Sequence, residues 1–149
     1  MADQPEFLTI NSVELAIDGA WRVVDPQPLL GERSRGTDFV IPGAAGVLPR
    51  ARTRDALRAQ LGMYVFGDNN QAGTPYANGR AGLRDNVEYL RANLLAHTVG
   101  EVTCTYTFPD ASTVSGSCLV VAIDVGEYQL AQNVARAAID VILTDGRLA

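Results

Sequence analysis

Glu101-Val-Thr-Cys-Thr-Tyr-Thr-Phe-Pro-Asp-Ala-Ser-Thr-Val-Ser-Gly-Ser-Cys-Leu-Val-Val-Ala-Ile123 decides the architecture. Val102, Cys104, Tyr106 and Phe108 alternate with Glu101, Thr103, Thr105 and Thr107. A period of two in β-branched and aromatic residues predicts a strand buried on one face. Pro109–Thr113 supplies a turn, and Val114–Ile123 returns as a second strand. Pairing Phe108 with Val114 sets Tyr106 against Gly116, Cys104 against Cys118 and Val102 against Val120. The Tyr106 ring then lies over the bare backbone of Gly116.

Upstream, Leu83, Val87, Leu90 and Leu94 recur at helical spacing, so a helix over roughly Ala81 to His97 must cover something apolar, most economically a sheet. Glu88 and Arg91 stand three apart on its other side. Gly67–Gly82 reads as the largest loop, and Gly31–Thr37 as an exposed one. Near the N-terminus, Phe7–Asp18 alternates as strands broken at Asn11-Ser12, and Trp21–Val24 is extended. Asp25-Pro-Gln-Pro28 excludes a helix, because each proline biases its predecessor towards extended backbone. Downstream, Asp124–Gly126 leads into Tyr128–Thr144. There Leu130, Val134, Ala137 and Val141 suit a helix, while the β-branched cluster Ile139, Val141 and Ile142 favours a strand.

Between these lies Val47–Phe66, read as one long alternating strand. Leu57, Leu61, Met63 and Val65 share one face; Arg50, Arg52, Arg54 and Arg58 share the other. The arginine row is either a solvated face or a contact with an acidic neighbour. The expectation is a mainly β protein with one helix, α+β, as a single domain over residues 1–149.

The composition narrows function. All 12 basic residues are arginine, against 17 acids and a net charge of −5, which suits nucleic-acid gripping poorly. No apolar run reaches 18 residues and no basic start precedes an apolar core, so neither a membrane span nor a secretory signal is predicted. Cys104 and Cys118 form no CxxC pair and no Cys/His set, so no zinc site is expected. They read as two small buried thiols. His97 lacks a Gly-x-Ser-x-Gly elbow and falls at the predicted helix C-terminus, where it suits the macrodipole. Asp68-Asn-Asn-Gln-Ala-Gly73 opens like a calcium loop but fails at Ala72 and again at Gly79. Gly43–Gly46 and Gly79–Gly82 precede no Gly-Lys-Ser/Thr. No catalytic, cofactor or metal residue is therefore assigned, and the chain is expected not to be an enzyme.

The order of features resembles a family. Phe39-Val-Ile-Pro-Gly-Ala-Ala-Gly46 leads to the basic stretch ending in Met63-Tyr-Val-Phe-Gly-Asp68. A loop, the helix with Leu83-Arg-Asp-Asn-Val-Glu-Tyr-Leu-Arg91, and a closing set of strands follow. This is similar to tail proteins of long, flexible-tailed bacteriophages, in particular the tail-tube fold shared by major tail tube and distal tail proteins. The resemblance implies a β-sandwich or split barrel flanked by one helix, and homo-hexameric rings that stack into a tube delivering DNA. It also implies a virion tail location after synthesis in the host cytoplasm, with tape measure, distal tail or terminator proteins as neighbours. DNA would pass a negative lumen without specific binding, and the arginine row would face an acidic neighbour or the exterior. At 149 residues no room is left for the second domain that distal tail proteins often carry, which favours the tube subunit over a distal or other minor ring. A small non-viral β-rich binding domain is the competing class.

Overall fold

Asn11 and Ser12 both hold positive φ, 51° and 64°, the conformation a two-residue hairpin turn requires and that Asn tolerates better than most residues. They fold β1 (Phe7–Ile10) back onto β2 (Val13–Glu14). The computed structural model describes residues 6–35, 39–40, 47–48, 53–129 and 133–149. After β2 come β3 (Ala16–Ile17), β4 (Trp21–Val23), a 3-10 turn over Gln27–Leu30, β5 (Arg33–Arg35), β6 (Phe39–Val40), β7 (Val47–Leu48), β8 (Thr53–Asp55) and β9 (Leu57–Phe66). Helices α1 (Gly79–Leu94) and α2 (Ala96–Val99) precede β10 (Val102–Thr107), β11 (Thr113–Gln129) and β12 (Val134–Leu143).

Among the described residues, eight strands form one antiparallel sheet in the order β2-β1-β10-β11-β12-β9-β4-β3. Its two outermost strands are consecutive in the chain, with only Leu15 between them. The Leu15 N–H donates to the Leu8 carbonyl at 2.8 Å, and the Leu15 carbonyl accepts from the Val23 N–H at 3.0 Å. In a regular strand both groups of one residue face the same neighbour. Divided between two neighbours, they make Leu15 the corner at which the sheet meets itself. Together with α1, this is the α+β architecture the sequence predicts.

Alternation fixes which face is inside. Leu57, Leu61, Met63 and Val65 of β9 are buried with Ala135, Ala137, Ile139, Val141 and Leu143 of β12. Leu83, Val87, Leu90 and Leu94 of α1 join the same core, each burial stabilising by roughly 1.5–3 kcal/mol relative to exposure. Trp21 stacks on Tyr89 of α1, ring centroids 5.5 Å apart, and its indole N–H donates to the Glu14 carbonyl at 2.8 Å. The Asn78 side chain caps α1 by accepting from the N–H groups of Arg80 and Ala81. Gly67 lets the helix N-terminus sit against the end of β9: a Cβ there would fall 1.8 Å from the Gly79 carbonyl oxygen.

Several expectations change. The β10–β11 hairpin is shifted by two residues: Tyr106 opposes Val114, Cys104 opposes Gly116 and Val102 opposes Cys118. The loop starts earlier because Phe108 donates to Ser112, Asp110 accepts from the Ser112 N–H, and Ala111 takes a positive φ. Asp124–Gly126 does not end that strand; β11 runs through it, bulged between Val120 and Ala122 and again between Val125 and Tyr128. Tyr128 and Gln129 therefore close β11, and β12 begins at Val134; both are extended, as the β-branched cluster favours. Gln27–Leu30 is a short 3-10 helix despite its prolines, which are tolerated in a first turn. Arg33–Arg35 within the expected loop is strand, paired to β8. The helix begins at Gly79 inside the expected long loop, and it ends at Leu94, so His97 sits exposed on α2.

Candidate assembly surface

The long strand β11 changes partner at Cys118. Residues 113–118 pair with β10 on one side, whereas from Cys118 onward the strand pairs with β12 on the other. The C-terminus fills the second side lower down, where Ser115 and Ala149 exchange two backbone hydrogen bonds. On the first side, α2 and its approach reach β11 through a parallel bridge between Leu95 and Val120. Beyond that bridge, among the described residues, nothing pairs with this side of β11 up to Gln129. Val121 is 49% exposed there, and Asp124 and Gly126 are exposed too. An edge of this length with unpaired N–H and C=O groups is a template for another strand.

The face of β9, β12 and β11 opposite the core carries mixed side chains. Arg22 and Arg136 flank Tyr64 in register across β4, β9 and β12. The Arg136 guanidinium lies 5.8 Å from the Tyr64 ring centroid, and Arg22 pairs with Asp18 at 3.0 Å. The bulges open two grooves beside β11. One of about 230 Å³ is lined by Arg58, Gln60, Val121 and Asp140 among others, and one of about 300 Å³ by Asp124, Gly126 and Arg136 among others.

The sequence-predicted arginine row is not on one strand. Arg58 is exposed on β9 of the main sheet, whereas Arg54 stands on β8 opposite Ser34 of β5. Arg50 and Arg52 lie outside the described residues, as do Pro42 and Gly43. Among the described residues, β5 pairs with β8 and β6 with β7, each as a two-stranded sheet apart from the eight-stranded one. Nothing in local polarity marks the β5–β8 pairing, because it joins residues as far apart as Arg33 and Asp55. The signal that could have revealed the long β11 is the absence of any proline after Pro109.

Groups capable of chemistry are placed structurally. Cys104 and Cys118 are both buried and unbridged. A hydrogen bond to Cys118, together with burial, pushes the Cys104 thiol well above its usual range. Tyr106 is buried with its hydroxyl donating to the Glu6 carboxylate. Among the described residues no cluster of three or more His, Cys, Asp or Glu could hold a metal. In the Asp68 stretch, Asn70 instead accepts from the N–H groups of Ala72 and Thr74, an Asx turn.

No protein-family model matches the chain, and no curated protein sequence does. Among solved structures, the Dit (gp 19.1) protein of phage SPP1, described as a paradigm of the hub adsorption apparatus in phages infecting Gram-positive hosts, shares the fold. The TM-score is 0.68 at 15% identity, over 96% of this chain and 51% of Dit. The chain thus spans about half the length of that protein. A chain of a native gene transfer agent virion aligns at TM-score 0.43 and 12% identity, over 97% of this chain and 93% of its own. A chain from the tail of an empty gene transfer agent particle aligns at 0.38 and 13%, over 90% and 98%. These two scores are too low to carry argument. The fold is therefore one found in the Dit protein of phage SPP1.

Proposed function

We propose that this chain is a structural, non-enzymatic subunit of a phage or phage-like tail, built into closed rings of six copies. The observation that carries the proposal is the side of β11 from Val121 to Gln129 that no strand among the described residues pairs with, and which a second copy can complete. Completion around a ring removes the edge altogether. The fold shared with the SPP1 hub protein supports a tail role. In the first reading the rings stack into a tube through which DNA is delivered, with tape measure and terminator proteins at its ends. The subunit would be made in the host cytoplasm and reside in the virion tail. The second reading, a single distal or hub ring, is favoured by the likeness to Dit. Negative-stain microscopy of the purified chain tests both. Stacked tubes support the first and isolated rings the second; monodisperse particles of 15.9 kDa at every concentration would refute the proposal. Each interface should bury on the order of 2,000 Å².

A further inference from the structure

We infer that β11 carries, beside Ser115 and Gly116, a strand-docking site whose ligand is the chain's own tail, Arg147–Ala149, and that this tail is a detachable strap denying the site to a second copy. The inference rests on the ring reading above and names the side of β11 that is kept out of assembly. β12 ends where the Thr144 N–H donates to the Ser117 carbonyl at 3.1 Å. The chain then leaves the ladder: Gly146 takes a φ of 82°, and its N–H donates to the Leu143 carbonyl at 3.1 Å. Glycine holds that conformation without strain. The tail returns with Arg147 and Ala149 exposed and Leu148 buried. The Ala149 N–H donates to the Ser115 carbonyl at 2.9 Å, and the Ser115 N–H to the Ala149 carbonyl at 3.2 Å.

Two features fit the site to this ligand. A Cβ at Gly116 would stand 2.9 Å from the Arg147 carbonyl oxygen and 3.4 Å from Leu148 Cδ2, so bare backbone at Gly116 is what admits the tail. Leu148 packs into the hydrophobic core cluster. Backbone pairing gives such a site its affinity, and the leucine socket its selectivity. The hold is slight all the same. Past Thr144, among the described residues, one residue pair joins the tail to β11, whereas ten pairs hold β12 to β9. Arg147 reaches Glu32 at 3.9 Å, but a pair exposed to solvent adds little. A segment held this way opens far more readily than the body of a sheet. With the tail lifted, β11 shows unpaired N–H and C=O groups beside an apolar socket, an edge that recruits another chain. With the tail seated, association is left to Val121–Gln129 on the opposite side of the strand.

The experiment compares the full chain with Leu148→Asp, which unseats the tail, by amide hydrogen exchange and by sedimentation velocity. The Ser115 and Ala149 amides should exchange roughly tenfold faster or more in the variant, while β12 keeps its protection. Self-association should begin at a protein concentration about tenfold lower. A synthetic peptide of residues 145–149, Asp-Gly-Arg-Leu-Ala, should reverse that added association, and the same peptide with Asp in place of Leu should not. Unchanged exchange at Ser115 overturns the strap; faster exchange without added association, or association that the peptide leaves intact, overturns its role in denying the edge. If the unaltered chain never assembles, the ring reading fails, and the variant alone decides the strap: new association reversed by the peptide supports it, and none overturns it. Gly116→Ala covers the case in which Leu148→Asp folds poorly. Its methyl meets the Arg147 carbonyl and pushes the tail off, so Ser115 and Ala149 should again exchange faster, and unchanged exchange there overturns the strap.

Discussion

The side chain of Asn86, two turns into α1, donates to the backbone carbonyl of Phe66 at the end of β9, 2.7 Å away. The same amide nitrogen reaches the Asn69 carbonyl at 2.9 Å, and its oxygen accepts from the Tyr76 hydroxyl at 3.0 Å. Asn86 is fully buried, so one side chain ties the helix, the strand and the following loop together. Asn86→Leu strands these partners, each costing about 1–3 kcal/mol when left unsatisfied. We expect a loss of about 3 kcal/mol, measured by urea unfolding. A loss below about 1 kcal/mol would show that the partners find water instead.

Gly67→Ala should be costly for a different reason. The added methyl meets the Gly79 carbonyl oxygen, which belongs to backbone and cannot rotate aside. Overpacking of this kind costs about 1–3 kcal/mol. By contrast, Gly62→Ala places its methyl in open space and should change stability by less than about 0.5 kcal/mol. Equal effects at the two sites, read from thermal unfolding, would contradict the backbone contact.

Burial first, and then the hydrogen bond to Glu6, raises the Tyr106 hydroxyl above its ordinary value of 10.0. Its ionisation therefore couples to folding at alkaline pH. The unfolded chain releases the proton near pH 10 while the folded chain keeps it, so stability is full below that point and declines as pH rises through it. Tyr76 adds to the slope, raised by burial and then by the charge of Asp85. Urea midpoints between about pH 8 and 11 should fall less steeply in Tyr106→Phe than in the unaltered chain. An identical slope in both would remove Tyr106 from the linkage.

The thiols give a test of the inner face. Cys104 and Cys118 are both buried, and Cys104 opposes Gly116 instead of its fellow cysteine. Neither should react with a thiol reagent in the native protein, and both should react in denaturant. Modification of either in the native protein would contradict their placement on the core side.

Residues whose partners are close in the chain were legible. Leu83, Val87, Leu90 and Leu94 announce α1 by spacing alone, and all four are buried. The alternation of Val102–Phe108 likewise gives β10. Its register is less legible, because the choice between adjacent pairings rests on how Asp110 and Ala111 shape the turn, and an error of two residues preserves the buried face. Bulges hid the continuity of β11: each inserts a residue that reverses the alternation, so Asp124–Gly126 imitates a turn. The arginine spacing was visible, but spacing cannot say that Arg54 and Arg58 flank Ala56 at a change of sheet. The side of β11 that no described strand pairs with depends on where β10 stops, which no local pattern states.

The most direct measurement of the central claim is amide hydrogen exchange over Val121–Gln129 as protein concentration is raised. Completion of this edge by a second copy predicts rapid exchange in dilute protein and slow exchange, approaching that of β12, once assembly occurs. Exchange over these residues that stays the same at all concentrations, whether fast or slow, would contradict it.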